Sequence, residues 1–332
     1  VKEVTRDNVP RIDYSGGGCP HILAEPQRTN LIPLSTDYST ASWSKQTGIV
    51  PTYNTTETLS PDGTNNATKF IGTGSTGVFK SSISVSGIVS RSVYLKSVSG
   101  TTTAKFKDPN TNLPTPINLT ITNEWQRFQL IGDNGSASQG LWIDDITSDG
   151  LYMWGAQLES ASYPTSYIPT SGSAVTRNQD QFSRDGIGSL INSTEGVLFA
   201  EIAALSNDGT YREISLSDGT RGNVVEIRYT PTANQFQFVV RKAEAVEVVT
   251  TITLSNALDF NKIAFSYKDN DYKMYVNGSE VGTDLSGTMP SGLNTLSLDW
   301  GGFGSNPFFG KVKQLQVYKT ALTDAQLTSL TS

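Results

Sequence analysis

Four residues in two parts of the sequence have the chemistry that sugar recognition requires. Sugar sites place an aromatic ring against the apolar face of the pyranose and use Asp, Asn, Gln or Arg for its hydroxyls. Trp142 lies two residues from Gly140 and two from Asp144, and the string Asp299-Trp300-Gly-Gly-Phe303 places an acid and two aromatic rings in a glycine-rich turn. We therefore predict sugar-binding surfaces at Trp142, Asp299, Trp300 and Phe303. A packing role is the alternative for each of them.

Oxygen-bearing side chains next to Trp142 are candidates for a calcium site. Calcium takes six to eight oxygen ligands from carboxylates and carbonyls, and Asp144, Asp145 and Asp149 occur within six positions of one another. The sequence thus allows a calcium ion at these three aspartates, although it has no EF-hand spacing. Turn formation is the alternative role, since Asp is a common turn residue. No other cofactor is predicted.

The carboxylates do not form the pattern expected for glycan cleavage. A glycosidase needs two carboxyl groups on the two sides of the scissile bond, about 5–9.5 Å apart. The adjacent Asp144 and Asp145 would face opposite sides of a strand, and Asp269 and Asp271 share a face but lie in a turn signal. With His21 as its one histidine, the chain also lacks the residues for most histidine-based chemistry. We predict that it is not an enzyme.

The composition excludes several further classes of protein. The 332 residues include 25 Lys+Arg and 31 Asp+Glu, and the net charge of -6 does not suit binding to nucleic acid by phosphate neutralisation. One cysteine, Cys19, excludes an intrachain disulfide and a thiolate zinc cluster. No apolar run approaches the ~20 residues needed to cross a bilayer, so membrane insertion is not expected. The start at Val1, without an initiator methionine or a signal peptide, predicts a fragment of a longer chain.

The elements that must position these side chains are predicted to be antiparallel strands. Val225, Ile227 and Tyr229 alternate with polar residues, and Asn277-Gly278 has the residues of a tight type I′ hairpin turn. The first half has shorter strands that are separated by turn signals, and strand position places Trp125 and Trp154 in its core. A capping box at Thr323 predicts one short C-terminal helix. The fold class is therefore all-β, with two antiparallel β-sandwich (jelly-roll) domains in tandem.

A segment rich in Ser, Thr and Pro between the two halves marks the domain boundary. The first thirty residues, with three consecutive glycines and two proline corners, read as a separate arm. The predicted organisation is an N-terminal arm of residues 1–30, a carbohydrate-binding-module-like jelly roll of residues 31–160, a linker of residues 161–184 and a sandwich of residues 185–332.

Several strings in the first half resemble a module of tailed-phage virion proteins of the tail-fibre or structural type, whose middle is similar to carbohydrate-binding-module jelly rolls. These strings are Pro10-Arg-Ile-Asp-Tyr14, Ile22-Leu-Ala-Glu-Pro-Gln-Arg-Thr-Asn-Leu31, Ala41-Ser-Trp43, Trp154-Gly-Ala-Gln-Leu-Glu159 and Ser166-Tyr-Ile-Pro-Thr170.

The second half resembles the concanavalin A-like lectin/laminin G superfamily, a fold that serves lectins, adhesion modules and glycan-cleaving enzymes alike. The strings that carry this resemblance are Glu195-Gly-Val-Leu-Phe199, Tyr275-Val-Asn-Gly278, Phe309-Gly-Lys-Val-Lys-Gln-Leu-Gln-Val-Tyr318 and Ala321-Leu-Thr-Asp-Ala-Gln-Leu327.

Together the two resemblances imply a non-catalytic phage virion component, either a fibre, a spike or a head decoration, that binds host-surface or environmental glycans. The implied partners are those glycans, other virion proteins and further copies of the chain in a homo-oligomer, of which a trimer is one form. The implied location is the particle surface after assembly in the host cytoplasm, where disulfides do not form. Two alternatives stay open, namely a purely structural virion module and a polysaccharide-degrading enzyme.

Overall fold

The structure is a computed structural model that describes residues 9–14, 19–302 and 304–332. Its strands in the first half of the chain are β1 (Ile12–Asp13), β2 (His21–Ala24), β3 (Arg28–Asn30), β4 (Ser44–Lys45), β5 (Val50–Thr52), β6 (Thr68–Ile71), β7 (Val78–Ser84), β8 (Val89–Ser97), β9 (Thr102–Lys107), β10 (Ile117–Ile121), β11 (Gln126–Gly132), β12 (Ser138–Asp144) and β13 (Leu151–Glu159). The remaining elements are β14 (Val175–Arg177), β15 (Ser183–Arg184), β16 (Glu195–Ala204), β17 (Arg212–Ser217), β18 (Val224–Tyr229), β19 (Gln235–Lys242), β20 (Ala245–Thr253), β21 (Asn261–Lys268), β22 (Tyr272–Val276), β23 (Ser279–Asp284), β24 (Thr295–Ser297), β25 (Gly310–Tyr318) and the helix α1 (Asp324–Thr331).

The described chain divides into two compact units. Unit 1 contains residues 27–178, and unit 2 contains residues 179–332 together with the described part of residues 6–26. Of the first thirty residues, which were predicted to form an arm, β1 and β2 extend a sheet of unit 2, whereas β3 pairs with β14 in unit 1. None of the described helices is long and apolar enough to cross a membrane.

Unit 1 consists of two five-stranded antiparallel sheets around one apolar core. One sheet has the order β10-β9-β12-β7-β4, and the other has the order β11-β8-β13-β6-β5. Alternate residues of both sheets point into the core, as the period of two along a strand requires. Trp154 is buried, as predicted. Trp125 is only half-buried because it precedes β11, and its indole N–H donates to the carbonyl of Leu59 over 2.8 Å; the prediction of a core position was wrong.

A buried amide ties the ends of unit 1 together. Nδ2 of Asn30 donates to the carbonyls of Ala156 and Ile168 at 3.2 and 2.9 Å. Oδ1 of Asn30 accepts from the backbone N–H groups of Ile32 and Leu158 at 3.1 and 3.2 Å. Asn30 is fully buried, so these four bonds satisfy main-chain groups that water cannot reach. Three of the strings that resemble the phage module thus meet at one side chain.

Unit 2 is a larger sandwich of a seven-stranded sheet, β1-β2-β25-β16-β21-β22-β23, and a six-stranded sheet, β15-β24-β17-β18-β19-β20. Its core contains side chains from both sheets, among them the predicted Val225, Ile227 and Tyr229. The turn at Asn277 and Gly278 has positive φ at both residues, 48° and 82°, as a type I′ turn requires. The capping box of α1 is present. The all-β prediction, with antiparallel sandwiches and one short C-terminal helix, is confirmed.

Candidate functional site

The outward face of the six-stranded sheet in unit 2 carries an unusual set of charged residues. Ile214, Val225 and Val240 point into the core, so their neighbours along β17, β18 and β19 point outward. The outward positions include two glutamates on adjacent strands and two arginines. This face lies beside the turn that carries Trp300, and the two together form a surface that we call the Trp300 site. Its residues are Tyr211, Glu213, Arg221, Glu226, Arg228, Arg241, Trp300 and Asn306.

The turn that presents Trp300 is shaped by the neighbouring acid. The carboxylate of Asp299 accepts the N–H groups of Gly302 and Gly304 at 2.7 and 2.6 Å. At Gly301 the turn also approaches the carbonyl of Thr220 so closely that a Cβ atom would lie 2.7 Å from it, and φ is +70°; both features require glycine. Asp299 therefore positions Trp300 and uses both carboxylate oxygens to do so.

Two guanidinium groups stack against the indole ring of Trp300. Arg221 lies 5.2 Å and Arg241 lies 5.5 Å from the ring centroid, within the range of a cation–π contact. Nη2 of Arg221 also donates to Oγ of Ser305, in the same turn as Trp300. The indole N–H is buried and donates to no described residue. The site thus presents hydrogen-bond donors around an aromatic ring.

A cavity of about 550 Å³ adjoins these residues, within the size range of small-ligand pockets. Its walls are two hairpin turns, β17–β18 and β19–β20, which are joined by a 3.0 Å bond from the N–H of Glu244 to the carbonyl of Gly222 and another from the N–H of Ala243 to Oδ1 of Asn223. Arg221 belongs both to this wall and to the stack on Trp300. The cavity and the aromatic ring therefore form one continuous surface.

The two outward glutamates form a buried pair under Arg228. Nη1 of Arg228 lies 2.9 Å from Oε1 of Glu226 and 3.4 Å from Oε1 of Glu213. Nδ2 of Asn306 donates to Oε1 of Glu213 at 3.0 Å, and both glutamates are fully buried. The guanidinium of Arg228 also lies 5.2 Å from the ring centroid of Tyr211. Arg228 is therefore fixed in place by a carboxylate pair and an aromatic ring.

Burial keeps a proton on this pair at neutral pH. Loss of solvation and the adjacent Glu213 together raise the pKa of Glu226 from 4.5 to about 8, against the opposing effect of Arg228 and Arg241. Burial also raises the pKa of Glu213, against the opposing effect of Arg228 and Asn306. The pair therefore carries less negative charge at pH 7 than two free carboxylates would carry.

Trp142 lies in unit 1, on β12, in a different setting. Phe79 and Lys107 stand opposite it on the two neighbouring strands, and the Phe79 ring is 5.2 Å away. The ammonium of Lys107 lies 3.7 Å from the Trp142 ring centroid and 2.7 Å from Oδ2 of Asp144. One face of the indole is thus occupied by a cation that Asp144 holds in place. The sugar-binding role of Trp142 stays a prediction.

The three aspartates of the calcium hypothesis are engaged separately. Asp144 pairs with Lys107, and Asp145 pairs with Lys105 at 2.7 Å. The backbone N–H of Asp149 donates to Oγ1 of Thr147 at 3.3 Å, and Asp149 itself is exposed. Within the described ranges, no group of three His, Cys, Asp or Glu side chains is placed to hold a metal ion. Calcium binding at this place therefore gains no support from the geometry.

The structure brings Asp299 and Trp300 together with residues that the sequence did not single out, while Phe303 lies outside the described residues. The missed residues are Arg221, Arg241 and the Glu213–Glu226 pair. Their outward positions follow from the alternation along each strand. The pairing of one strand with the next, which is what brings them together, has no local signal in the sequence.

Comparisons with known proteins give a family for part of unit 2. Residues 200–328 match the laminin G-type family that is described as the concanavalin A-like lectin/glucanases superfamily. Those residues therefore form a concanavalin A-like, laminin G-like domain, and they include the whole Trp300 site. None of the curated proteins matches the chain.

Three matches among solved structures each cover less than half of this chain. The Ruminococcus gnavus IT-sialidase CBM40 bound to α2,3-sialyllactose is 18% identical, with a TM-score of 0.38, and the match covers 46% of this chain and 98% of that one. Domain 4 of a GH43 arabinanase from Geobacillus stearothermophilus, in complex with arabinotriose, is 16% identical, with a TM-score of 0.37 and coverage of 48% and 76%. Sheep galectin-11 is 11% identical, with a TM-score of 0.30 and coverage of 42% and 97%.

Proposed function

We propose that the chain is a carbohydrate-binding protein and that it binds glycans at the Trp300 site without cleaving them. The observation that carries this proposal is that the lectin-family match contains an aromatic ring, several N–H donors and a cavity on one surface. Sugar hydroxyls both donate and accept hydrogen bonds. The surface offers donors from Arg241 and an acceptor from Glu244, so it can satisfy both roles.

The buried glutamate pair supports a non-catalytic role. Nη1 of Arg228 contacts Oε1 of both Glu213 and Glu226, so a guanidinium group lies where a glycosidic bond between two catalytic carboxyl groups would have to lie. Both are also fully buried, and a substrate could not reach them without displacing Arg228. The pair therefore has a structural role, in which it holds Arg228 on the sheet, and it does not supply the acid and the nucleophile of a hydrolase.

Substitution of the tryptophan tests the location of the site. We expect Trp300→Ala to weaken glycan binding by about tenfold or more, because the change removes the ring that orders two guanidinium groups. Trp300 lies in a turn, so the circular dichroism spectrum is expected to stay unchanged. Hits from a glycan array, followed by calorimetric titration of wild-type and variant protein, measure the effect.

Trp142→Ala is the matched control in unit 1. The same hits are expected to bind this variant within about twofold of wild type, since Lys107 already covers one face of that indole. Loss of binding in Trp142→Ala with binding retained in Trp300→Ala would move the site to unit 1. Absence of binding to every envelope glycan on the array would refute the proposal as a whole.

The biological setting that we propose is the surface of a tailed-phage particle, with host-surface or environmental glycans as ligands and other virion proteins as neighbours. The support comes from the strings that resemble the phage module, three of which meet at Asn30. Assembly in the host cytoplasm is consistent with a sequence that has one cysteine. Mass spectrometry of purified particles, with antibodies to this chain, tests the location.

A trimer is the expected oligomer of the chain in that setting. Light scattering on the purified chain is expected to give three times the monomer mass, and a monomer at high micromolar concentration would contradict this expectation. The same measurement tests the alternative that the chain is a purely structural virion module. A stable trimer with no affinity for any glycan would favour a decoration or assembly module over a glycan-binding protein.

A further inference from the structure

The guanidinium of Arg241 lies close enough to the Glu213–Glu226 pair to lower the pKa of both carboxyl groups, but it forms no ion pair of its own with a described residue. It is half-buried on β19 and stacks on Trp300, yet it has no hydrogen bond and no ion pair with any described residue, and its Nε atom is buried. A guanidinium carries five N–H donors, and burial of unpaired donors is unfavourable. Arg228, on the neighbouring strand, is by contrast fully engaged by the glutamate pair. Arg241 therefore has donors to offer to a ligand.

Arg221 brings a second guanidinium to the same ring. It stacks on Trp300, contacts Ser305 and forms part of the cavity wall. Two stacked guanidinium groups repel each other unless an anion lies near both. A planar guanidinium edge binds a carboxylate through two parallel N–H···O bonds, and this geometry is stronger than a contact with a neutral hydroxyl.

We propose that the Trp300 site binds an acidic glycan and that Arg241, assisted by Arg221, binds the carboxylate of a uronic or sialic acid residue. This inference rests on the proposed glycan-binding function and narrows it to one class of ligand. Trp300 then acts mainly as a support that holds the two guanidinium groups in a fixed orientation. The sugar ring occupies the adjoining cavity.

The overall charge of the chain makes this specificity local. The net charge is -6, so the chain as a whole repels polyanions, and affinity for an acidic glycan has to come from one place on its surface. One carboxylate, that of Glu244, lines the cavity on the wall that the β19–β20 turn forms. The negative charge of Glu244 weakens the binding of an acidic ligand, so a substitution that removes this charge should strengthen that binding.

The test compares polysaccharides before and after chemical reduction of their carboxyl groups. Polygalacturonate, alginate and polysialic acid, each in native and in carboxyl-reduced form, are titrated with the full chain at physiological salt. Wild-type protein is expected to bind at least one native form about tenfold more tightly than its reduced form. Arg241→Gln is expected to remove this preference, and Glu244→Gln is expected to increase affinity for the native form several-fold.

Two controls separate a specific contact from a general effect of charge. Lys268→Gln removes one positive charge elsewhere in unit 2, where Lys268 pairs with Glu195 at 3.7 Å, and it is expected to leave the preference unchanged. Arg241→Lys keeps the charge but loses the planar fork, and it is expected to keep only part of the preference. Equal loss in Arg241→Gln and Lys268→Gln would overturn the inference.

The outcomes distinguish this inference from the function on which it rests. If wild-type protein binds neutral and reduced glycans as tightly as acidic ones, and Trp300→Ala abolishes that binding, then glycan binding stands and the acidic specificity is wrong. If a native acidic form binds but Arg241→Gln keeps the full preference, the assignment of Arg241 is wrong. If no glycan of either kind binds, the proposed function itself fails.

Discussion

Replacement of Arg91 by methionine is expected to destabilise unit 1 by about 3–5 kcal/mol, because it leaves a buried carboxylate without its counterion. Arg91 is fully buried on β8, and Nη2 lies 2.9 Å from Oδ2 of the equally buried Asp108. Its other donors bind the carbonyls of Gly140 and Gly132 at 2.6 and 3.2 Å and Oε1 of Gln139 at 2.6 Å. One side chain thus joins β8 to the opposite sheet.

Thermal unfolding followed by tryptophan fluorescence measures the loss of stability in unit 1. Four of the five tryptophans lie in unit 1, and Trp300 alone lies in unit 2, so the fluorescence change reports mainly on unit 1. A loss of this size corresponds to a fall in Tm of roughly 6–20 °C for about 150 residues. The calorimetric transition of unit 2 is expected to stay within roughly 1–2 °C of its wild-type position.

A matched control uses an ion pair of the same unit at its surface. Lys69, on β6, pairs with the exposed Glu57 at 2.8 Å, and Lys69→Met is expected to reduce stability by at most about 1 kcal/mol. The double variant Arg91→Met/Asp108→Asn removes both charges and is expected to recover part of the loss. A loss below about 1 kcal/mol in Arg91→Met would show that the backbone N–H groups of Asn110 and Gly140 and the amide of Asn134 satisfy Asp108 without Arg91.

Arg91 also illustrates which parts of the core can be predicted from the sequence. The alternation of Val89, Val93 and Leu95 places position 91 on the same face of β8, so the sequence pattern already puts an arginine among core residues. Its partner Asp108 follows a different strand in the opposite sheet. The pairing of the two charges depends on how the two sheets stack, and no periodicity along the chain encodes that.

The same limit explains why the sequence did not predict the glutamate pair and the two arginines of the Trp300 site. The carboxylate pairs considered from the sequence lie close together along the chain, whereas Glu213 and Glu226 come from neighbouring strands and meet through the pairing of β17 with β18. The Asp299-Trp300 turn could be identified locally because its glycines and its acid are adjacent in sequence. The two arginines that stack on Trp300 come from separate hairpins, and only the register of the sheet brings them to it.

The second large effect is expected at Glu226, where replacement by glutamine should stabilise unit 2 at alkaline pH. A carboxyl group whose pKa is raised on folding stabilises the folded state below its unfolded-state pKa. This stabilisation is lost as the pH rises through its folded-state pKa. For Glu226 the range is from 4.5 to about 8. Wild-type stability is therefore expected to fall across this range, because burial resists the ionisation that the unfolded chain permits. Glutamine resembles the neutral carboxyl in shape and does not ionise.

Measurements of Tm by calorimetry at a series of pH values test this expectation. At pH 4.5 the Glu226→Gln variant and wild type should unfold within roughly 2 °C of each other, and at pH 8.5 the variant should be more stable by roughly 2–4 kcal/mol, or about 4–16 °C. Glu201→Gln is the control, since Glu201 lies on the other sheet and pairs with Lys313 at 3.4 Å. That variant should follow the wild-type curve in shape.

The result also bears on the ligand. Parallel curves for Glu226→Gln and wild type would mean that the pair is ionised at neutral pH, and its negative charge would then offset Arg228 and weaken the case for an acidic glycan. Divergence above pH 6 would mean that a proton stays on the pair, so that the positive charges beside Trp300 exceed the negative ones. A proton on Glu226 removes a negative charge that would otherwise act on Arg241, so the guanidinium of Arg241 keeps its charge for a ligand. The sheet buries charge on its outward face and leaves one cation for a ligand to neutralise.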